Sequence, residues 1–345
     1  MSSNLPVPET KVLAIASHVV YGYVGNTMAA LVMQSLGCDV AALNTVQLSN
    51  HKGYRQTKGS TIPASEIREL YDGLRRPALN DFDMMLSGYA MDAESVEAIG
   101  AIARDLRLKS NTKPGSFFWV LDPVMGDQGH LYVNGNLVPA YTNLLRDADL
   151  ILPNQYELGW LAETPINSIS SVVDAITTLH RTYRTPHIVV TSVCFDPSNR
   201  YLSVIGSTAD STGAPRLFQI DVPAIDAFFS GTGDMFAALT VVRLREAVSH
   251  VPDLSHTRSW ISPDDVVAVD LPLAQALEKV LGSMHAILQK TKEARDRELA
   301  TFSEVEMQGK EGHVRTTKAS EVRLVRNLAD LRDPKVEFRA KTLSL

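Results

Sequence analysis

Gly231-Thr232-Gly233-Asp234 holds the residue types that handle a transferable phosphate. Glycines let the backbone approach an anion closely, and a helix opening on them presents free N–H groups and the positive end of its dipole. Between Met235 and Val242 only Thr240 is polar, which predicts a helix buried on most sides directly after the turn. Asp234 is the odd member. A carboxylate beside a bound triphosphate repels it unless the carboxylate has work to do there. One such job is to accept a proton from an attacking hydroxyl, while the backbone of Gly231–Gly233 serves as an anion hole for the transferred group. The competing reading is that Asp234 only caps its helix, and for an isolated four-residue match that reading is the stronger one.

More polar residues follow the apolar runs that look like strands. Ser17-His18 follows the first, Asn44-Thr45 the second and Ser87-Gly88-Tyr89 the third; Asp122-Pro-Val-Met-Gly-Asp127, Pro153-Asn154-Gln-Tyr-Glu157 and Thr191-Ser192 follow the next three. Ligands of open parallel sheets bind outside the carboxyl ends of the strands. Each residue alone reads as a turn or cap residue; together, on one edge of one sheet, they predict a site. Acids at two of these ends suit Mg²⁺, as phosphoryl transfer requires. There is no Gly-x-x-x-x-Gly-Lys-Ser/Thr loop, no His-Glu-x-x-His helix, no paired-cysteine zinc pattern and no Gly-x-Ser-x-Gly elbow.

The elements that must position these residues alternate between strand and helix. Strands are expected at Val12–Ala16, Ala41–Thr45, Met84–Leu86, Phe117–Leu121, Leu150–Leu152 and Ile188–Thr191, with helices at Thr27–Leu36, Ile67–Leu74, Ala93–Leu108 and Ile169–Arg181. Such alternation predicts an α/β fold with a mostly parallel sheet covered on both faces. Tyr201–Ile205 and Leu217–Val222, joined by a Ser/Thr/Gly-rich turn, predict an antiparallel hairpin at an edge. The polar segment Gln47–Thr61 reads as a loop and Ser249–Asp265 as an exposed insertion. Leu273–Leu288 reads as a long helix, Lys290–Lys318 as solvated helix extension and loop, and the tail from Val322 as a late strand or two.

All 345 residues are expected to form one large domain, and no internal repeat or composition break divides them. Net charge is −6 with scattered basic residues, which argues against a nucleic-acid surface. Apolar runs are strand-length, which argues against membrane insertion. The N-terminus lacks the basic and apolar regions of a signal peptide, and the two cysteines, Cys38 and Cys194, lie in apolar settings where a reduced, buried state is expected. A cytoplasmic protein is expected, with nuclear presence compatible.

On the blocks Ser17–Asn26, Asn44–His51, Gly88-Tyr89, Asp122–Asp127, Pro153–Glu157, Thr191-Ser192 and Gly231–Asp234, the chain resembles the ribokinase-like superfamily and, within it, the pyridoxal kinase branch. Gly231–Asp234 marks only the superfamily; Ser17–Asn26 and Asn44–His51 point to the vitamin B6 branch. The resemblance runs from Lys11 to about Ala294 and more weakly beyond. It implies a ribokinase-like three-layer α/β/α sandwich and transfer of the ATP γ-phosphate to the 5′-hydroxyl of pyridoxal, pyridoxine or pyridoxamine. It further implies Asp234 as base, Gly231, Thr232 and Gly233 as anion hole, and Ser17, Val24, His51 and Tyr89 around the pyridine ring. Asp127, Tyr132, Asn154, Thr191, Ser192, Asp226, Ala227 and Thr232 fall where the family handles nucleotide. Asp122, Asp127 and Glu157 fall where it organises Mg²⁺ and a monovalent cation such as K⁺. A homodimer is the family's usual state.

Three positions depart from the pattern. Lys52 stands where a small residue is common, Leu152 stands where a threonine often helps hold the monovalent cation, and the lid Gly126–Tyr132 is short. Two other readings compete with the B6 kinase: a hydroxymethylpyrimidine kinase of the same superfamily, and a sensor or scaffold that binds B6 or nucleotide without turnover.

Overall fold

The computed structural model describes residues 5–343 except 128, 132–134, 197 and 199. In chain order the elements are β1 (Thr10–Tyr21), α1 (Gly25–Ser35), β2 (Cys38–Asn50), β3 (Gly59–Thr61), α2 (Ala64–Arg75), β4 (Met84–Ser87), α3 (Ala93–Lys109), β5 (Phe118–Leu121), β6 (Gly126–Asp127) and β7 (His130–Leu131). They continue with α4 (Leu137–Leu144), β8 (Leu150–Ile151), α5 (Gln155–Leu161), α6 (Ile169–Tyr183), β9 (His187–Val193), β10 (Tyr201–Ala209) and β11 (Pro215–Pro223). The last are α7 (Thr232–Ser249), α8 (Pro272–Leu299), α9 (Gly309–Ala319), α10 (Leu328–Arg332) and β12 (Lys341–Thr342).

Among the described residues one sheet runs in the order β12-β11-β10-β9-β8-β5-β4-β1-β2-β3. From β9 to β2 every pairing is parallel, so the carboxyl ends of these strands meet at one edge. Antiparallel strands flank them on both sides: β10, β11 and β12 beyond β9, and β3 beyond β2. The parallel strands are apolar on both faces because helices cover both. Val12 and Ala14 of β1 face a core shared with α1, α7 and α8, whereas Leu13 and Ile15 face α2, α3, α4 and α6; Phe118/Val120 and Trp119/Leu121 of β5 divide the same way. This is the expected α/β architecture.

Two stretches differ from expectation. Gln47–Thr61 is not a loop throughout: β2 continues to Asn50 beside the extended end of β1, and β3 returns antiparallel to it. Val46 and Leu48 turn inward while Gln47 and Ser49 are exposed or nearly so, a period-two pattern that the polar composition masked. The segment read as an exposed insertion, Ser249–Asp265, is anchored inward. Trp260 is buried, stacks on Phe118 with ring centroids 4.1 Å apart, and donates its indole N–H to Gly115 O at 2.9 Å. Ser259 donates its hydroxyl to Asp149 at 2.6 Å, while its carbonyl meets His187 Nε2 at 2.7 Å. Aromatic area and buried hydrogen bonds outweigh the polar character of the flanking residues. Cys38 is buried, which pushes its thiol up to about 12, but Cys194 is half-exposed, with its Sγ 3.1 Å from Asp196 O.

Candidate active site

Helix α7 begins at Thr232, three residues earlier than the sequence predicts, so the glycine turn forms its N-cap and first turn. Gly231 is its N-cap at φ 80°, and a Cβ there would stand 2.1 Å from Tyr23 O. Only glycine meets both demands, the left-handed backbone and the close approach. Met235 N–H donates to Gly231 O at 2.9 Å and closes the first turn. Thr232 and Gly233 then sit in the first helical turn with N–H groups that have no carbonyl four residues back.

Asp234 projects from that same turn beside the start of α1. Burial pushes its carboxyl up to about 6, and a hydrogen bond from the Gly25 backbone N–H partly opposes the shift. Gly25 is itself pressed against Ser17: φ is 52°, and an added Cβ would lie 2.1 Å from Ser17 O and 2.3 Å from Ser17 Oγ. Ser17 occupies the register shift of β1 against β2 between Ala16 and His18, a bulge of the kind that re-aims a side chain at a strand end. Val24 precedes α1, and its Cγ1 would be 3.2 Å from a Cβ at Gly231. The structure therefore brings Ser17, Val24, Gly231 and Asp234 together.

His51 and Tyr89 close the other side. His51 is buried at the end of β2, and its Nδ1 lies 3.3 Å from Ser230 Oγ, immediately before the glycine turn. Thr45 donates its hydroxyl to Tyr89 O at 2.7 Å, fixing the loop after β4 to β2. Lys52 Nζ stands 5.7 Å from the centre of the Tyr89 ring, within cation–π range, so this departure from the family pattern faces the pocket wall.

The acids form a second group. Asp122 follows β5 and is buried; burial, then the charges of Glu157 and Asp234, raise its carboxyl well above the usual range. Glu157 is pushed up to about 7 by burial, against the pull of backbone donors at Asn154, Met125 and Gly126. Those bonds measure 2.9, 2.8 and 3.3 Å, so both carboxylate oxygens already hold the backbone. Asn154 and Glu157 form a capping box on α5, and Asn154 also donates to Gly126 O at 2.7 Å. The pattern Asn-x-x-Glu before an apolar run is the sequence signature of such a cap, which makes the pair a support for the Gly126 turn as well as candidate ligands.

Three buried, raised carboxylates without an ion-pair partner among the described residues, with Asp122 also raised by the charges of the other two, are an arrangement that a cation relieves. No three His, Cys, Asp or Glu side chains among the described residues form a protein-only cage. That combination suits Mg²⁺, which keeps most of its shell as water and phosphate oxygen and takes one or two carboxylates. Leu152 packs in the core on the α7 side and offers no side-chain oxygen to a monovalent ion.

Of the residues expected at the nucleotide, Asn154 and Thr191 are joined by a parallel bridge, with Thr191 N–H donating to Pro153 O at 3.0 Å. Ser192 is exposed at φ 55° beside them. Asp127 is exposed in β6, and its charge acts on Glu157. Asp226 is exposed and Ala227 half-buried on the segment that enters the glycine turn; among the described residues neither bonds to the Asn154–Thr191 pair. Tyr132 lies outside the described residues.

One participant had no signal in the sequence. Glu321, after α9, reaches the pocket wall and lies 2.9 Å from His51 Nε2. Nothing near it in the chain marks it; the contact spans a separation of 270 residues.

The comparisons with known proteins converge on one family. A family model described as phosphomethylpyrimidine kinase matches residues 83–262. The pyridoxal kinase of Homo sapiens is 32% identical over 346 residues, covering 97% of this chain and 99% of its own. The chain belongs to the pyridoxal kinase family. The Arabidopsis thaliana pyridoxal kinase is also 32% identical, over 100% of this chain and 98% of its own. Among solved structures, pyridoxal kinase from Leishmania donovani in complex with ADP and pyridoxamine superposes with a TM-score of 0.78 at 30% identity, covering 97% of this chain and 100% of that one. Membership of the pyridoxal kinase family carries the ribokinase-like sandwich with it. No described helix is long and apolar enough to cross a membrane.

Proposed function

We propose that the protein is an ATP-dependent pyridoxal kinase that transfers the γ-phosphate to the 5′-hydroxyl of pyridoxal, pyridoxine or pyridoxamine. The observation that carries this reading is the meeting of Ser17, Val24 and His51 with the glycine turn and Asp234. Asp234 takes the proton of the attacking hydroxyl. With a carboxyl near 6 it is ionised at neutral pH, yet it is a stronger base than an ordinary aspartate, a balance that suits a general base. The backbone of Gly231, Thr232 and Gly233, at the positive end of α7, stabilises negative charge on the transferred group. Ser17, Val24, His51 and Tyr89 hold the pyridine ring so that its hydroxymethyl faces Asp234. Asn154, Thr191, Ser192, Asp226 and Ala227 hold the nucleotide.

Asp122, with Asp127 and Glu157 behind it, would hold Mg²⁺, which neutralises phosphate charge when bound. Glu157 acts mainly by fixing the Gly126 turn, since its oxygens are committed to backbone donors.

The hydroxymethylpyrimidine kinase reading draws on the matched family model, but that match begins at residue 83, after Ser17, Val24 and His51. An assay separates the two: ATP- and Mg²⁺-dependent formation of pyridoxal 5′-phosphate followed by absorbance, with pyridoxine and hydroxymethylpyrimidine as competitors. Rapid product formation inhibited best by pyridoxine is the expected result. Turnover of hydroxymethylpyrimidine alone would replace the assignment, and pyridoxal binding without turnover would favour a sensor.

A further inference from the structure

The carboxylate of Glu321 gathers three groups of the pocket wall. Oε1 lies 2.9 Å from His51 Nε2 and accepts the Tyr54 hydroxyl at 2.9 Å, while Oε2 accepts the Tyr23 backbone N–H at 3.3 Å. The His51 and Tyr54 rings lie against each other with centroids 4.8 Å apart. An added Cβ at Gly22, already at φ 99°, would come within 2.8 Å of both carboxylate oxygens, so the turn after β1 is shaped around this side chain. The same C-terminal region docks a second time: His313 of α9 meets Gly53 O through Nε2 at 2.8 Å.

These contacts run directly into the glycine turn. An acceptor at Nε2 requires a proton there, and Nδ1 on the other side of the ring meets the Ser230 hydroxyl at 3.3 Å. Ser230 precedes Gly231, and Tyr23, whose N–H the other oxygen holds, supplies the carbonyl against which Gly231 is packed. One carboxylate thus braces the anion-hole turn from both sides.

We infer that Glu321 is a positioning residue for the vitamer pocket, acting through His51, Tyr54 and the Tyr23 backbone. The inference rests on the proposed kinase reading. It gives the C-terminal segment, remote in sequence from every catalytic block, a direct part in recognising the phosphoryl acceptor.

The test is steady-state kinetics of the full-length protein with pyridoxal and ATP varied in turn, for wild type, Glu321→Ala, Glu321→Gln and Tyr54→Phe. Hydrogen bonds to a charged group are worth enough that Glu321→Ala should raise the KM for pyridoxal about tenfold or more. The KM for ATP should stay within about twofold, because Asn154, Thr191 and Ser192 lie at the β8 and β9 ends of the sheet, away from the β1 and β2 ends that Glu321 braces. Glu321→Gln keeps an acceptor for His51 and should recover part of the loss, and Tyr54→Phe should cost least. Equal losses toward pyridoxal and ATP, or Glu321→Ala kinetics like wild type, would overturn the inference. If Glu321→Ala does not fold, Glu321→Gln and Tyr54→Phe decide it by the same split. Wild type inactive on pyridoxal would instead overturn the kinase reading, so the two failures are distinguishable.

Discussion

The two ends of α7 treat buried carboxylates in opposite ways. At the N-terminus Asp234 has one backbone donor, no cationic partner among the described residues, and a carboxyl raised to about 6. Three turns on, Glu246 is also largely buried, but it receives Arg243 at 2.8 Å and Lys279 at 2.9 Å. Burial acts to raise Glu246 too, yet the hydrogen bonds from Lys279 and Arg243 bring it below the usual range. Arg243 is itself buried and donates through Nη2 to Leu331 O and Arg332 O, pinning α10 to the helix, while its Nε meets no partner among the described residues. The same helix therefore carries one buried carboxylate without a cationic partner among the described residues and one held by two cationic side chains.

The largest test of this contrast is Asp234→Asn. Removing the proposed base while keeping size and shape should lower kcat by about 10²–10⁴-fold with little change in ATP binding. Single-turnover rates and equilibrium ATP titration measure the two separately. Wild-type kcat in this variant would show that Asp234 is a helix cap and no more.

Arg243→Met probes the other end. It leaves Glu246 with Lys279 alone, and the freed carbonyls at the end of α10 with no donor, so unfolding stability should fall by about 3 kcal/mol. Denaturant titration gives the loss, while the KM values for both substrates should be near wild type. A stability loss confined to a few tenths of a kcal/mol would mean that this network is as unimportant to the fold as a surface pair.

The difference between the ends also explains what the sequence could and could not reveal. The Gly231–Asp234 turn was legible because its backbone need falls on the glycines themselves, and the sheet followed from apolar runs such as Phe117–Leu121. The strand ends were legible as a set because parallel topology places them on one edge. Glu321 was not, since its meaning lies in a contact with His51 that no local pattern encodes. Trp260 escaped for a similar reason: polar neighbours disguised a residue that stacks on Phe118 from the central sheet. At Asn154 and Glu157 the sequence showed a site where the capping-box spacing equally announced a structural role.

The sharpest prediction on the comparison is the pH dependence of stability. Asp234 is raised from 3.8 to about 6 on folding, so between those values the native state binds more protons than the unfolded one. Its ionisation therefore destabilises the fold: the cost is absent below the unfolded pKa, grows as pH rises through this window, and is complete above about 6. Asp234→Asn removes that cost and should be more stable than wild type by about 3 kcal/mol at pH 8, with the gap closing toward pH 4. Glu246 runs the other way. Its folded pKa lies below 4.5, so its stabilisation is present above 4.5 and lost as pH falls through the folded value. Arg243→Met should thus be less stable than wild type at neutral pH, and that gap too should shrink in acid, but from the opposite sign. Thermal unfolding of the three proteins from pH 8 to pH 4 measures both gaps. An Asp234→Asn advantage that stays constant across the range would mean that the Asp234 carboxyl ionises as freely in the fold as in the open chain, and the two ends of α7 would no longer differ in kind.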